Sequence, residues 1–237
     1  MTERFAGVVL VAAGRGERFG DSGKVLAGAG DRPLLAWSLE SALAASSTAE
    51  VVVVCGDHTR ERIGALIETL NASLPVRTCA GGIERQDSVR AGVYALSGGI
   101  GVAVIHDAAR PLATPSMFDD VAEAAREQGA AIVAAPVTDT IKAVEGDRIL
   151  RTIPREMLRA AQTPQAFRID TLSDAMARIS GSNLTFTDEA ALLESLGVPV
   201  VVRPGETTNL KVTVPEDLVL VEALLQARCR GVRDVST

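Results

Sequence analysis

The sequence predicts an α/β fold: one open, mostly parallel sheet flanked by helices, with a protruding β-hairpin arm. Strand-length apolar runs alternate with helix-length amphipathic stretches along most of the 237 residues, as in βαβ units around a parallel sheet. Composition agrees, because 47% of residues are hydrophobic and only 3% aromatic, leaving a core of Val, Ala, Leu and Ile that suits a sheet buried on both faces. A chain of this length buries roughly three quarters of its unfolded surface. No Pro/Gly/Ser-rich linker divides it, so residues 1–237 are expected to form one domain.

Apolar runs place strands near 7–12, 51–55, 76–79, 102–106, 131–137 and 198–202. Helical periodicity follows near 33–46, 58–70, 86–97, 115–127, 170–179 and 187–196. Pro215 starts a last helix, since proline is tolerated in a first turn. One stretch breaks the alternation. In residues 139–153 two β-prone runs flank Glu145-Gly146-Asp147, whose turn residues and spacing predict a hairpin. Such an insertion is either a surface arm or a partner-binding element.

The net charge of −6 gives no general attraction to nucleic acid or an anionic membrane, so a small ligand is the better expectation. Cys55, Cys79 and Cys229 lie far apart without a CxxC pair or a neighbouring His, which argues against a zinc site or a disulfide framework. The first residues carry only a short apolar run, unlike a signal peptide or a membrane span. These features point to a reduced, cytoplasmic protein.

The first strand runs into Ala12-Ala13-Gly14-Arg15-Gly16, with Arg18 and Lys24 following. Small residues let backbone approach a ligand closely, and exposed N–H groups in such a turn can cradle phosphate oxygens. Arg18 and Lys24 add positive charge suited to a triphosphate undergoing attack at its α-phosphorus. A dinucleotide fingerprint fits poorly: Gly20 falls one place late for GxGxxG, and no acidic residue ends the second strand. A Walker loop fails because Val25 follows Gly23-Lys24. An ordinary strand-to-helix turn remains the structural alternative. Asp107 ends the fourth strand, on the edge where open α/β sheets bind ligands, and a carboxylate there can hold Mg²⁺ between phosphate oxygens or cap a loop tied to Arg110. His106 is expected to face the core rather than act as a base.

Further segments occur in one order and spacing: Gly81-Gly82-Ile83-Glu84-Arg85-Gln86-Asp87-Ser88, His106-Asp107-Ala108-Ala109-Arg110-Pro111, Ala135-Pro136-Val137-Thr138-Asp139-Thr140-Ile141-Lys142, Gln162-Thr163-Pro164-Gln165, Thr187-Asp188-Glu189-Ala190 and Asn209-Leu210-Lys211-Val212-Thr213. Together with the loop they resemble the 2-C-methyl-D-erythritol 4-phosphate cytidylyltransferases of the non-mevalonate isoprenoid pathway, over roughly residues 7 to 225. The resemblance implies a Rossmann-like nucleotidyltransferase that joins CTP to a polyol phosphate with Mg²⁺ at Asp107.

In the implied site Ala12, Ala13, Gly14, Arg18 and Lys24 meet the CTP phosphates. Gly81, Gly82, Arg85, Ser88 and Ala108 surround the nucleoside, although Gly81-Gly82 also reads as a turn and Asp87 or Ser88 as a helix cap. Arg155 and Lys211 place the acceptor, with Thr140, Arg110, Thr163 and Thr187 as further contacts. The 139–155 arm reaches a second subunit, so that Thr140 and Arg155 act in the site of a homodimer partner. Ile83, Val25 and Thr208 depart from the usual family residues and touch the substrate side more than the triphosphate. Competing readings are a cytidylyltransferase for another polyol phosphate, such as ribitol 5-phosphate, and a non-catalytic nucleotide-binding regulator.

Overall fold

Continuous apolar runs become the interior strands of a sheet covered on both faces. The structure, a computed structural model, describes residues 3–14, 19, 23–179 and 184–229. Strand β1 (Ala6–Ala12) lies between β4 (Thr48–Cys55) and β6 (Val102–Asp107), parallel to both. Its side chains divide by alternation: Val8 and Leu10 pack with Leu35, Leu39 and Phe118 on one face, and Val9 packs with Val54, Val89 and Phe167 on the other. Both faces are therefore apolar, which is why the run has no polar alternate positions.

The full sheet has seven strands in the order β11-β7-β10-β6-β1-β4-β5. Here β5 is Val76–Ala80, β7 is Ala130–Pro136, β10 is Arg159–Arg168 and β11 is Val201–Pro204. Six strands run parallel, and β10 runs antiparallel between β6 and β7. A two-stranded ribbon, β2 (Gly28–Ala29) and β3 (Arg32–Pro33), precedes the first helix.

Helices α1 (Leu34–Ala44), α2 (Arg60–Thr69), α3 (Arg85–Tyr94), α4 (Pro115–Gln128), α5 (Ile169–Arg178), α6 (Glu189–Ser195) and α7 (Asp217–Cys229) cover the faces. Pro115 opens α4 and Gly129 at φ 96° closes it, the asymmetry expected of helix ends. Helix α3 seats closely because Gly92 has no side chain: a Cβ there would lie 2.3 Å from Val9 Cγ1.

Every predicted strand and helix is present within a few residues, and the hairpin forms as β8 (Ile141–Glu145) and β9 (Arg148–Ile153) with Gly146 at φ 54°. The last helix begins at Asp217, two residues past Pro215. Strand β10 was not expected. Its polar residues and Pro164 hide the strand pattern, and the pairing with β7 shifts register between Ala161 and Gln165, where the proline sits. Among the described residues no helix is long and apolar enough to cross a membrane.

Candidate active site

All six parallel strands point their carboxyl ends at one edge of the sheet, and there the loops after β1, β4, β5 and β6 converge. Gly81 makes the convergence possible, because a Cβ on it would lie 2.3 Å from Ala13 Cβ and 2.9 Å from Ser88 Oγ. Between these loops runs a cleft lined by Ala12, Ala13, Gly14, Lys24, Gly82, Arg85, Ser88, Asp107 and Lys211, among others. It continues into a hollow of about 680 Å³ formed by Ala13, Gly14, Gly56, Asp57, His58, Gly81, Gly82 and Ile83. That space is within the range of small-molecule sites. Ile83, 98% exposed, belongs to both. A smaller cavity behind α3, of about 120 Å³, has neither the glycine loops nor a lysine.

Asp107 forms the floor of the cleft. Lys211 Nζ lies 2.7 Å from Oδ2, and Arg85 Nε lies 3.4 Å from Oδ1. Burial pushes the Asp107 carboxyl up, but Lys211 and then Arg85 outweigh it and hold the pKa at about 2, so the group is anionic throughout the neutral range. Arg85 also donates from Nη1 to both Glu189 oxygens at 2.9 Å. Burial opposes the Arg85 charge, yet Glu189 and Asp107 leave its pKa raised.

The residues under Asp107 fix it in place. Its backbone N–H donates to Thr163 Oγ1 at 3.0 Å, and that hydroxyl meets His106 Nδ1 at 3.1 Å. On the other side of the ring His106 Nε2 meets the Arg110 carbonyl at 3.2 Å. A carbonyl only accepts, so Nε2 carries the proton and Nδ1 accepts from Thr163. Burial lowers the His106 pKa to about 4, which keeps the ring neutral. His106 thus faces the core, stacked obliquely on Phe118.

Buried Asn209 donates from Nδ2 to Gln162 Oε1 and to the Thr163 carbonyl, and its backbone carbonyl accepts from Arg110 Nη1 at 2.7 Å. Val212 N–H then binds the Ala109 carbonyl, and Lys211 between these anchors turns to Asp107. Arg110 Nε is buried with no hydrogen-bond partner among the described residues.

The predicted residues distribute unevenly. The cleft and its hollow take in Ala12, Ala13, Gly14, Lys24, Gly81, Gly82, Arg85, Ser88, Asp107 and Lys211. Ala109 rather than Ala108 is on the wall, since Ala108 is buried with its N–H on the Val11 carbonyl and its own carbonyl on the Ser38 hydroxyl. Thr163 is buried beneath Asp107. Thr187 is exposed before α6, and Thr140 and Arg155 are exposed at the base of the hairpin; none of the three lines the cleft. Arg155 donates to the Thr138 carbonyl. Arg18 lies outside the described residues. The cap of α3 is Glu84 rather than Asp87 or Ser88: Asp87, in the first turn, completes the capping box by accepting the Glu84 N–H, while Ser88 Oγ accepts the Gly82 N–H of the loop and lines the cleft. Sequence reasoning missed Glu189 as an ion-pair partner, and missed Gly56, Asp57 and His58, which the glycine directly after the second apolar run marks as a strand-end loop.

The family model of 2-C-methyl-D-erythritol 4-phosphate cytidylyltransferase (IspD) matches residues 6–227. The chain belongs to this family. The cytidylyltransferase of that name from Gloeobacter violaceus is 43% identical over 94% of this chain and 97% of its own length. The one from Frankia casuarinae is 45% identical over 93% of this chain and 81% of its own. Among solved structures, 4-diphosphocytidyl-2C-methyl-D-erythritol synthase from Anaerococcus prevotii superposes with a TM-score of 0.85 at 26% identity, covering 94% of this chain and 99% of that one. The Thermus thermophilus cytidylyltransferase gives 0.76 at 35% identity, covering 92% and 98%. As a cytidylyltransferase-family chain it is an enzyme of the nucleotidyltransferase class. Its cleft has the small-residue loop and fixed cations that such transfer requires.

Proposed function

We propose that this chain transfers the cytidylyl group of CTP to 2-C-methyl-D-erythritol 4-phosphate, giving 4-diphosphocytidyl-2-C-methyl-D-erythritol and pyrophosphate in isoprenoid biosynthesis. The observation that carries the reading is the pairing of Lys211 and Arg85 with one ionised carboxylate in a cleft that Lys24 and the Ala12–Gly14 loop also line. An acceptor phosphate oxygen bonds to the α-phosphorus, and the bond from that phosphorus to the bridging oxygen of the β-phosphate breaks. Pyrophosphate leaves with the electron pair. No protein nucleophile is needed, so catalysis is positioning and charge stabilisation.

Backbone N–H groups at Ala13 and Gly14, with Lys24, take the triphosphate, and the hollow bounded by Gly81, Gly82 and Ile83 takes the nucleoside. Asp107 suits Mg²⁺, which takes one or two carboxylates and completes its shell with substrate phosphates and water. Among the described residues no cluster of three acidic, His or Cys ligands exists, and Asp107 on the cleft floor is the carboxylate assigned to the ion. When bound, the ion would neutralise charge that builds on the phosphate oxygens.

Thr140 and Arg155 fit the acceptor from a second copy of the chain. Support comes from their exposure away from their own cleft and from apolar residues exposed on and near the arm, Val144, Ile149, Leu150 and Met157. Arg155→Ala is expected to slow transfer at least tenfold while calorimetric CTP affinity stays within about twofold. Mixing Arg155→Ala with Lys24→Ala protein is expected to regain activity, because one site of each mixed dimer has both side chains intact. A monomeric mass by light scattering, with full activity, would refute the shared site. The free thiols Cys55 and Cys79 suit a cytoplasmic setting.

The deciding experiment measures pyrophosphate release from each of the four nucleoside triphosphates with methylerythritol phosphate, ribitol 5-phosphate or no acceptor. Release only with CTP and methylerythritol phosphate is expected. A preference for ribitol phosphate would move the acceptor assignment, and no release in any arm would leave a nucleotide-binding regulator.

A further inference from the structure

Four side chains of alternating charge form a row from α6 to the cleft floor: Glu189, Arg85, Asp107 and Lys211. The spacing along the row is unequal. Arg85 gives Glu189 two contacts of 2.9 Å and gives Asp107 a single long one of 3.4 Å. Glu189 is 4% exposed, and the end of α6 that carries it is fastened by a different residue. Asp188 Oδ1 accepts the Ala191 N–H, and Asp188 Oδ2 accepts Gln165 Nε2 from β10, each at 2.9 Å. The helix therefore has its cap and its tie to the sheet without Glu189. Buried ion pairs are inefficient as pure stabilisers, because desolvation consumes much of the attraction. A carboxylate in this position must be explained by what it does to Arg85.

We propose that Glu189 is a positioning residue for cytidylyl transfer, holding Arg85 back so that the Asp107 oxygen facing it stays available to the ligand. This rests on the transfer reading above. Deprived of Glu189, the guanidinium has Asp107 as its nearest remaining anion and closes on it with full hydrogen bonds. The carboxylate is then bracketed by two tight cations, Arg85 and Lys211, and is lost to a metal bound with the triphosphate.

The test is Glu189→Gln, which keeps the side-chain shape and removes the charge. The expected result is a fall in kcat of about tenfold together with a severalfold higher KM for CTP in magnesium, since slower chemistry brings KM close to the dissociation constant. By calorimetry, CTP affinity in magnesium should fall severalfold while affinity without magnesium is kept. In an Arg85→Gln background the same change should add less than a twofold loss, since the two residues act through one contact.

A merely structural role predicts losses that multiply in the double variant and track a lowered Tm, and either finding overturns the proposal. Should Glu189→Gln not fold, Arg85→Lys serves, because one ammonium cannot reach both carboxylates. It is expected to lower kcat and to weaken CTP affinity in magnesium but not without it, and full activity would refute the inference. Wild-type protein inactive with every substrate pair would instead remove the functional reading itself, whereas an active wild type with an equally active Glu189→Gln variant removes only the role of Glu189.

Discussion

Lys24→Ala is expected to lower kcat by roughly a hundredfold or more, the scale found when a fixed charge or donor is removed from developing negative charge. Lys24 opens a short helical turn, Lys24–Leu26, entered through Gly23 at φ 76°. A side chain at position 23 would be strained in that conformation and would meet Thr59 at 2.8 Å, so the glycine sets the path that returns the lysine to the cleft beside Gly14 and Asp107. Asp217 at the start of α7 is held below its ordinary pKa mainly by the Thr213 and Val214 N–H groups, with the Lys24 charge a smaller contribution. Truncation removes that charge from the triphosphate but leaves the acceptor side untouched, so KM for the acceptor should change little. Lys24→Arg restores charge with a longer, planar group and is expected to recover part of the rate. Steady-state kinetics decide the point, and unchanged turnover in the alanine variant would take Lys24 out of the mechanism.

The parallel sheet was legible because its strands are buried on both faces, so Val8, Val9 and Leu10 appear as one uninterrupted apolar run. Strand β10 was not legible, for the opposite physical reason. Gln162, Thr163 and Gln165 are buried polar groups whose partners lie far along the chain: the Glu206 carbonyl, the Asp107 N–H and Asp188. Nothing local marks such a segment as interior.

The same limit applies to the site. The glycine loops, Lys24 and Asp107 were readable as residue types at or after strand ends and Lys211 only through the family resemblance, and they do converge. The pairing of Arg85 with Glu189 spans 104 positions and has no local signature. Family resemblance marked Thr163 as a substrate contact, whereas its hydroxyl is occupied in holding the Asp107 backbone and His106. Only the tertiary structure distinguishes a group that touches the ligand from one that aims its neighbour.

Asp107→Asn separates the two effects that meet at the cleft floor. The amide keeps the size of the carboxylate and the Thr163 bond to the backbone, which does not involve the side chain. What it loses is the negative charge that Lys211 and Arg85 hold ionised down to a pH of about 2. Two consequences follow, with opposite signs for binding and for rate. Lys211 at 2.7 Å and Arg85 lose their shared counter-charge, so the cleft becomes more positive and the bare triphosphate should bind at least as well as before. The carboxylate proposed to hold magnesium is gone at the same time, so kcat should fall at least a hundredfold and the magnesium concentration for half-maximal rate should rise. A magnesium titration of the variant at saturating CTP reads both. An unshifted midpoint would mean that Asp107 serves only to aim Lys211, and the carboxylate would then have to be reassigned from metal ligand to positioning group.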